Sequence, residues 1–519
     1  MVEQHSTKIR QKVITMSPTN NIHSIIIVGG GTAGWMTAAA LARVLSTAQC
    51  KVQLIESDDI GTIGVGEATI PSLATFNNTL GINEAEFMKA TQATFKLGID
   101  FVNWKKEGSS YIHPFSQFGT EIDGLPFTHY WQKAFSLGIA PELSEYSLSC
   151  LACVNNRFAL PQKIANSPLS KISHAYHLDA TLYAQYLRKY AEQRGVERTE
   201  GKVVSVGQHE NGFIKSVTLE SGAKFEADFF IDCSGFQGIL IEKALESGYD
   251  DWSDLLPADS AIAVASEKSY PTTPYTRATA HKVGWQWRIP LQHRTGNGYV
   301  YSSKFISDEA AEKLLLENID TPPLSSPRKI KFTTGKRKEI WKNNCLAVGL
   351  ASGFVEPLES TSIYLIQSVI SKFLALYPQK NNFEPLREKF NTNINYDYES
   401  IRDFIILHYK ATERKDSEFW SFCRNLEIPE TLNKKIELYK NSSQLFRDNN
   451  ELFSEPSWLA VMHGQGITAN HYNPIVDSMP LEELSQRLRK VHSVIKKCSS
   501  VLPSHDEFIA KYCQSNITL

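Results

Sequence analysis

The stretch HSIIIVGGGTAGWMTAAALARVL (residues 23–45) decides the fold. Ile25 to Val28 are a short run of β-branched apolar residues, the composition of a buried strand. Glycines break the run, and an alanine-rich segment follows. Residues 24–42 carry no charged side chain, but their four glycines fall in the middle, so strand–turn–helix fits better than one membrane-spanning helix. Gly29, Gly31 and Gly34 satisfy G-x-G-x-x-G. The first glycine permits the tight turn, the second lets the backbone approach a pyrophosphate, and the third lets helix and strand pack closely. The helix start then offers free N–H groups and the positive end of its dipole to the phosphates. A second strand, KVQLIES (51–57), follows, and Glu56 stands 25 residues beyond Gly31. A carboxylate there is placed to accept hydrogen bonds from a ribose diol.

Two later segments distinguish the dinucleotides. FEADFFIDCSGF (225–236) is a strand ending on Asp232 before a small-residue turn, and NNCLAVGLASGFVEPLESTSIYLIQSVISKFL (343–374) is a strand, a loop and a long helix. A chain that returns to its nucleotide site so late is organised like a flavoprotein hydroxylase, whereas NAD dehydrogenases usually complete the site in one contiguous stretch. FAD is therefore the expected cofactor.

Composition narrows the class. The chain has 519 residues, 42% hydrophobic and 21% charged, with a formal net charge of −2, so neither a basic nucleic-acid surface nor an acidic tail is indicated. Eight scattered cysteines fit a reducing cytoplasm, and the single pair Cys150-x-x-Cys153 reads as two thiols near a loop. No signal peptide is visible. Residues 1–23 read as a disordered extension, with Met16 an alternative start.

The expected fold is α/β, with a discontinuous FAD-binding Rossmann-like module over 24–375. Residues 24–105, 170–250 and 340–375 build its nucleotide part. A strand-rich, substrate-side sheet is inserted at about 106–170 and 251–335. Residues 376–519 follow helical periodicity and form a substrate-binding part.

Four stretches carry a resemblance: GGGTAGWM (29–36), GVGEATIP (64–71), GWQWRIP (284–290) and FVEPLESTSIYLI (354–366), joined by ATFKLGIDFVNW (93–104). With them the chain resembles the flavin-dependent halogenases of the tryptophan halogenase family from about residue 24 into the C-terminal helices. The glycine turn is common to many flavoproteins; the W-x-W-x-I-P pattern is far more specific. The resemblance implies a two-component enzyme. Reduced FAD from a separate NAD(P)H-dependent flavin reductase, with O2 and chloride or bromide, gives hypohalous acid, which halogenates an electron-rich aromatic.

The resemblance also assigns residues. Lys96 is the group that meets hypohalous acid at the far end of its path, by a hydrogen bond or as a haloamine. A haloamine needs the lysine partly deprotonated, which burial favours. Taken alone, Lys96 would read as a surface lysine on a strand edge, although Phe95, Leu97, Ile99 and Phe101 beside it are apolar. Glu359 is the active-site carboxylate, able to accept the arene's proton or stabilise its cation. Ser360 follows it, and Thr361 and Ser362 match the halide site at a helix start. Ser362 stands where tryptophan-specific members usually have glycine, so halide preference stays open. Glu356 reads as a strand-end or cap residue. Trp285 and Trp287, two apart in an extended segment, point to one face and form an apolar wall that keeps water and organic substrate off the flavin. Flavin contacts carry over to Gly29, Gly31, Thr32, Ala33, Gly34 and Glu56. They extend to the strap residues Ser57, Ile60, Ile63, Val65 and Ala68, and to Val203, Leu350 and Ile363 from later returns. His113 and Phe115 match an aromatic pair that brackets the substrate, with Phe118 a competing match.

Members that act on free tryptophan clamp its amino-acid head with a paired-tyrosine segment. Here EPSWLAVMHGQGITANHY (455–472) puts Ser457 and Trp458 in that place and offers no acid for an ammonium between Leu459 and Asn470. Indole, or an arene without an amino-acid head, is the expected substrate, with Trp458 as an apolar wall. An aromatic hydroxylase and a silent flavin-binding protein are the alternatives. Monomer and homodimer both stay open.

Overall fold

The computed structural model describes residues 20–45, 47–59, 66–165, 167–380 and 382–515. The calls on Ile60, Ile63, Val65 and residues 1–19 lie outside these; residues 20–23 of the expected disordered extension are instead packed on the fold, with Ile22 buried and the His23 carbonyl accepting from the Lys51 N–H at 2.8 Å. The first sheet has six strands, in the order Trp341–Lys342, Cys345–Ala347, Phe229–Asp232, Ser24–Val28, Lys51–Glu56 and Glu197–Glu200. All neighbours are parallel except the first pair. Ser24–Val28 and Phe229–Asp232 lie at its centre and are almost wholly buried, which is why both read as unbroken apolar runs. Helix Thr32–Val44 packs against helix Ala180–Glu192. The latter is capped by Asp179, which accepts from the N–H groups of Thr181 and Leu182. This is the Rossmann-like α/β arrangement expected from the glycine turn.

A second sheet has seven strands, ordered Arg328–Lys331, Ser260–Glu267, Arg294–Tyr301, Trp285–Pro290, Thr276–Ala280, Gly98–Val102 and Ser110–Pro114. A third, small sheet links the two regions: Gly66–Ala68 and Thr94–Lys96 flank Ala175–Asp179, both antiparallel to it. Gly66 also lies against Ile289, Leu291 and Gly296 of the second sheet. The end of the strap sequence, the tryptophan motif and Lys96 are thereby tied together.

Two details differ from the sequence reading. Gly98–Val102 belongs to the second sheet rather than to the nucleotide part. The described residues of 106–170 hold one strand and two α-helices, Phe127–Ser136 and Leu148–Val154, rather than a run of strands. The aromatics that suggested strands, Phe127, Tyr130 and Trp131, bury with Ala134 at helical spacing on one face. Cys150 and Cys153 lie buried on the second of these helices, with Cys153 one residue from its C-terminal end.

Beyond residue 376 the described chain is helical: Phe383–Lys410, Glu418–Asn425, Glu430–Ser442, Glu455–Gly464, Leu481–Ser500 and His505–Tyr512. The last of these, closed by a Ser504–Glu507 capping box, returns to the Lys96 strand. There His505 Nε2 accepts from the Phe95 N–H at 3.2 Å, and Phe95 stacks on Phe158 with ring centroids 4.1 Å apart. No helix among the described residues is long and apolar enough to cross a membrane.

Candidate functional site

The glycine turn is built as its spacing requires. Gly29 sits at φ +110, and a Cβ there would fall 2.2 Å from the Cys233 carbonyl oxygen. A Cβ on Gly34 would fall 1.9 Å from the Gly29 oxygen, so strand and helix meet closely. Gly31 faces open space, and helix Thr32–Val44 has no side-chain cap, which leaves the N–H groups of its first turn, including Thr32 and Ala33, for an anion. The Glu56 carboxylate folds over Gly30 and takes a 2.6 Å hydrogen bond from Arg198 Nε. The later returns reach the same place. Gly349, beside Leu350, packs on Ala33, and the Gly201 N–H, just before Val203, donates to the Glu56 carbonyl at 2.8 Å. Ser57 follows Glu56, Ala68 ends the strand Gly66–Ala68, and Ile363 is buried in the first turn of helix Ser362–Ala375. An uncapped helix start, a clear approach at Gly31 and a carboxylate at the strand end fit the pyrophosphate and ribose of FAD. Gly29→Ala should strain the turn by about 1–3 kcal/mol from backbone conformation alone. Thermal unfolding and flavin titration should both show a loss; an unchanged melting temperature with normal flavin affinity would contradict this role.

Lys96, the last residue of Thr94–Lys96, is fully buried. Its Nζ donates to the Thr69 carbonyl at 3.0 Å and to Ser360 Oγ at 2.8 Å, and lies 5.1 Å from the centre of the Phe115 ring. Burial pushes the ammonium down to about 7 against the opposing pull of Glu359. The lysine therefore bridges the end of the strap sequence and the EPLEST segment; it sits on an edge strand but is buried, not a surface lysine.

Glu359 closes the short 3-10 turn Pro357–Glu359 and is fully buried. Ser360 after it adopts a left-handed conformation, φ +59, which directs the chain into helix Ser362–Ala375. His113 Nδ1 lies 3.1 and 3.0 Å from the two carboxylate oxygens, and His408 Nε2 lies 2.8 Å from Oε1. Burial alone would raise this carboxyl, but the charge and hydrogen bond of His113, then the close contact and charge of His408, outweigh it and hold it at about 2. Thr361 stands at the start of the helix with its hydroxyl buried and unpartnered, and no side chain caps the turn that Ser362 opens. An unsatisfied hydroxyl beside free N–H groups is a fitting cradle for a halide.

Trp285 and Trp287 lie on one face of the strand Trp285–Pro290. Both are buried, and their rings lie 6.1 Å apart. Trp287 lies flat on Gly298, where a Cβ would fall 2.0 Å from the indole. A run of ring contacts continues from Trp285 to Trp104 at 6.3 Å and from Trp104 to His408 at 6.1 Å, so one apolar path joins the motif to Glu359. His113 meets Phe115, Phe404 and Phe453, while Trp458 lies one ring behind, edge-on to Phe404 at 4.8 Å. Phe115 rather than Phe118 is the ring beside Lys96.

Two groups escaped the sequence reading. His408 lies in no motif. Glu356 occupies a cap position, but its side chain caps nothing. It is fully buried, accepts from the Tyr409 hydroxyl at 3.0 Å, and is pushed by burial up to about 8, against Tyr409 and the nearby Trp285 indole. The Trp285 N–H reaches no aligned hydrogen bond, so Tyr409 is the partner that fixes this carboxyl. Its position directly before the proline of EPLEST was the one available signal.

Known proteins give the same picture. The sequence profile of the tryptophan halogenase family matches residues 24–481. Tryptophan 7-halogenase RebH of Lentzea aerocolonigenes is 34% identical, over 95% of this chain and 99% of its own. Among solved structures, Xcc4156, a flavin-dependent halogenase from Xanthomonas campestris, is 44% identical with TM-score 0.93, covering 96% of this chain and 100% of its own. BrvH, a flavin-dependent halogenase from Brevundimonas sp. BAL3, is also 44% identical, with TM-score 0.92 over the same shares of the two chains.

Proposed function

Since the chain belongs to the tryptophan halogenase family and is an FADH2-dependent halogenase, we propose that Lys96 and Glu359 form its reacting centre and that its substrate is an uncharged electron-rich arene such as indole. The observation that carries this reading is the buried lysine held between Thr69 and Ser360 beside a carboxylate clamped by two imidazoles.

Bound flavin supplies, with O2 and halide, the hypohalous acid. The glycine turn and Glu56 hold its pyrophosphate and ribose; Ser57, Ala68, Val203, Leu350 and Ile363 line its surroundings. Thr361 and Ser362 seat the halide. Trp285 and Trp287 wall off water and the arene. Two of the three N–H directions of Lys96 are taken by Thr69 and Ser360, which leaves the third position for hypohalous acid. With its pKa at about 7, ammonium and amine are both present near neutral pH, so it can orient the acid or carry the halogen. The halogen adds to the ring carbon, and Glu359 accepts the proton that leaves it. His113 and Phe115 bracket the ring. Residues 376–519 form the substrate-binding part, and a separate flavin reductase provides FADH2. Eight free cysteines support a cytoplasmic setting.

The test is indole with a flavin-reducing system, air and bromide, read by mass spectrometry. A bromine isotope doublet is expected; a gain of one oxygen instead would return the hydroxylase.

The charges near Trp458 support the substrate class. Lys435 lies 4.6 Å over its ring but is paired with Glu451 at 2.8 Å. A bound zwitterion would have to break such pairs or stay unpaired, a cost of several kcal/mol. In competition, indole should be favoured over free tryptophan about tenfold or more in kcat/KM, equivalent to about 1.4 kcal/mol. A clear preference for tryptophan would show that another segment clamps the amino-acid head.

A further inference from the structure

His408 lies fully buried in the last turn of helix Phe383–Lys410. Its Nδ1 is 2.9 Å from the Phe404 carbonyl. A carbonyl only accepts, so Nδ1 carries a hydrogen. Its Nε2 is 2.8 Å from Glu359 Oε1, in a contact bent away from the ring's N–H axis. The angle makes this an ion contact rather than an aligned hydrogen bond, but the separation fixes the proton count. A bare imidazole lone pair and a carboxylate oxygen at that distance, in a dry site, would repel strongly. A second hydrogen between them removes the repulsion, and with Glu359 held ionised, first by His113, it lies on Nε2 and makes the ring an imidazolium.

We propose that His408 is a positively charged positioning residue that keeps Glu359 ionised and ready to accept the arene's proton. The proposal rests on the reading of Glu359 as that acceptor. Facing Glu359 are His113 from strand Ser110–Pro114, Lys96 from strand Thr94–Lys96, Tyr111 and His408 itself. Packed on His408 are the uncharged rings of Phe101, Trp104 and Phe404. As the halogen adds, the O–X bond breaks and its electron pair leaves with oxygen. The arene C–H bond breaks, its pair returns to the ring, and the proton moves to Glu359. The hydroxide released from hypohalous acid takes that proton and leaves as water. His408 gains and loses nothing over the cycle. It adds to the contact from His113 a second positive group, and the two together offset the burial that would otherwise protonate the carboxylate.

His408→Gln keeps similar volume and an amide contact but removes the charge. Turnover at saturating indole should fall about tenfold at about pH 6 and far less at about pH 8, because the acid limb of the profile moves up. In flavin-free protein with 13C-labelled glutamate, infrared titration should show a protonated carboxyl appearing nearer neutral pH. That band should be missing from the Glu359→Gln/His408→Gln double variant. In a Glu359→Gln background, His408→Gln should cost less than about twofold more. His408→Asn carries the same readouts if the Gln variant does not fold. If Glu359→Gln is impaired while the acid limb and infrared titration of His408→Gln match those of the unsubstituted protein, the role of His408 is overturned. A near-normal Glu359→Gln would remove the reading beneath it, and this inference with it.

Discussion

Lys96→Ala is expected to abolish halogenation of the arene, by about 10³-fold or more, because the group that meets the electrophile is lost outright. Flavin binding should survive. The glycine turn and Glu56 share no contact with Lys96, whose polar partners are Thr69 and Ser360. Oxygen consumption in the presence of halide should continue, since the flavin-side residues are untouched. The measurement is product by mass spectrometry, corrected for what free hypohalous acid yields with the same arene. Regioselective product from Lys96→Ala above that background would sink the assignment.

Glu359→Gln should lower turnover by about 10²-fold, the scale of losing a positioned proton acceptor with its charge. The amide keeps the size of the side chain, and His113 can still donate to its oxygen, so the loss is chemical rather than a collapse of the site. The direction follows from the site's electrostatics. A carboxylate held at about 2 is ionised throughout the working range, whereas an amide cannot take a proton there. Peroxide release should persist, because flavin oxidation does not use this group. A near-normal rate would make Glu359 a structural residue.

The parts legible in the sequence are those encoded over short spans. The turn at Gly29, Gly31 and Gly34 and the strand that ends at Glu56 were legible because one short span contains them all. That Trp285 and Trp287 share one buried face was legible because strand alternation puts residues two apart on the same side. Lys96 and Glu359 were singled out by motif and not by physics: the contacts that make them a pair of interest, Lys96 with Ser360 and His113 with Glu359, span 264 and 246 residues. No local pattern carries such information. His408 carried no signal because it follows the apolar run Phe404–Leu407, and a lone histidine there reads as core. Glu356 was taken for a cap because its backbone does cap, while its buried side chain, turned toward Tyr409, left no mark in the sequence. Phe127–Ser136 misled because aromatics favour strands on average, although their spacing was helical.

The central claim is that Lys96 and Glu359, brought together across the fold, act as one reacting centre. Double-mutant kinetics test it most directly: single-turnover halogenation of indole by Lys96→Ala, Glu359→Gln and the double variant, each with flavin binding verified. Groups that act as a unit are strongly non-additive. The predicted result is a double variant no slower than Lys96→Ala alone; losses that multiply, with each single variant keeping its own residual regioselective activity, would contradict it.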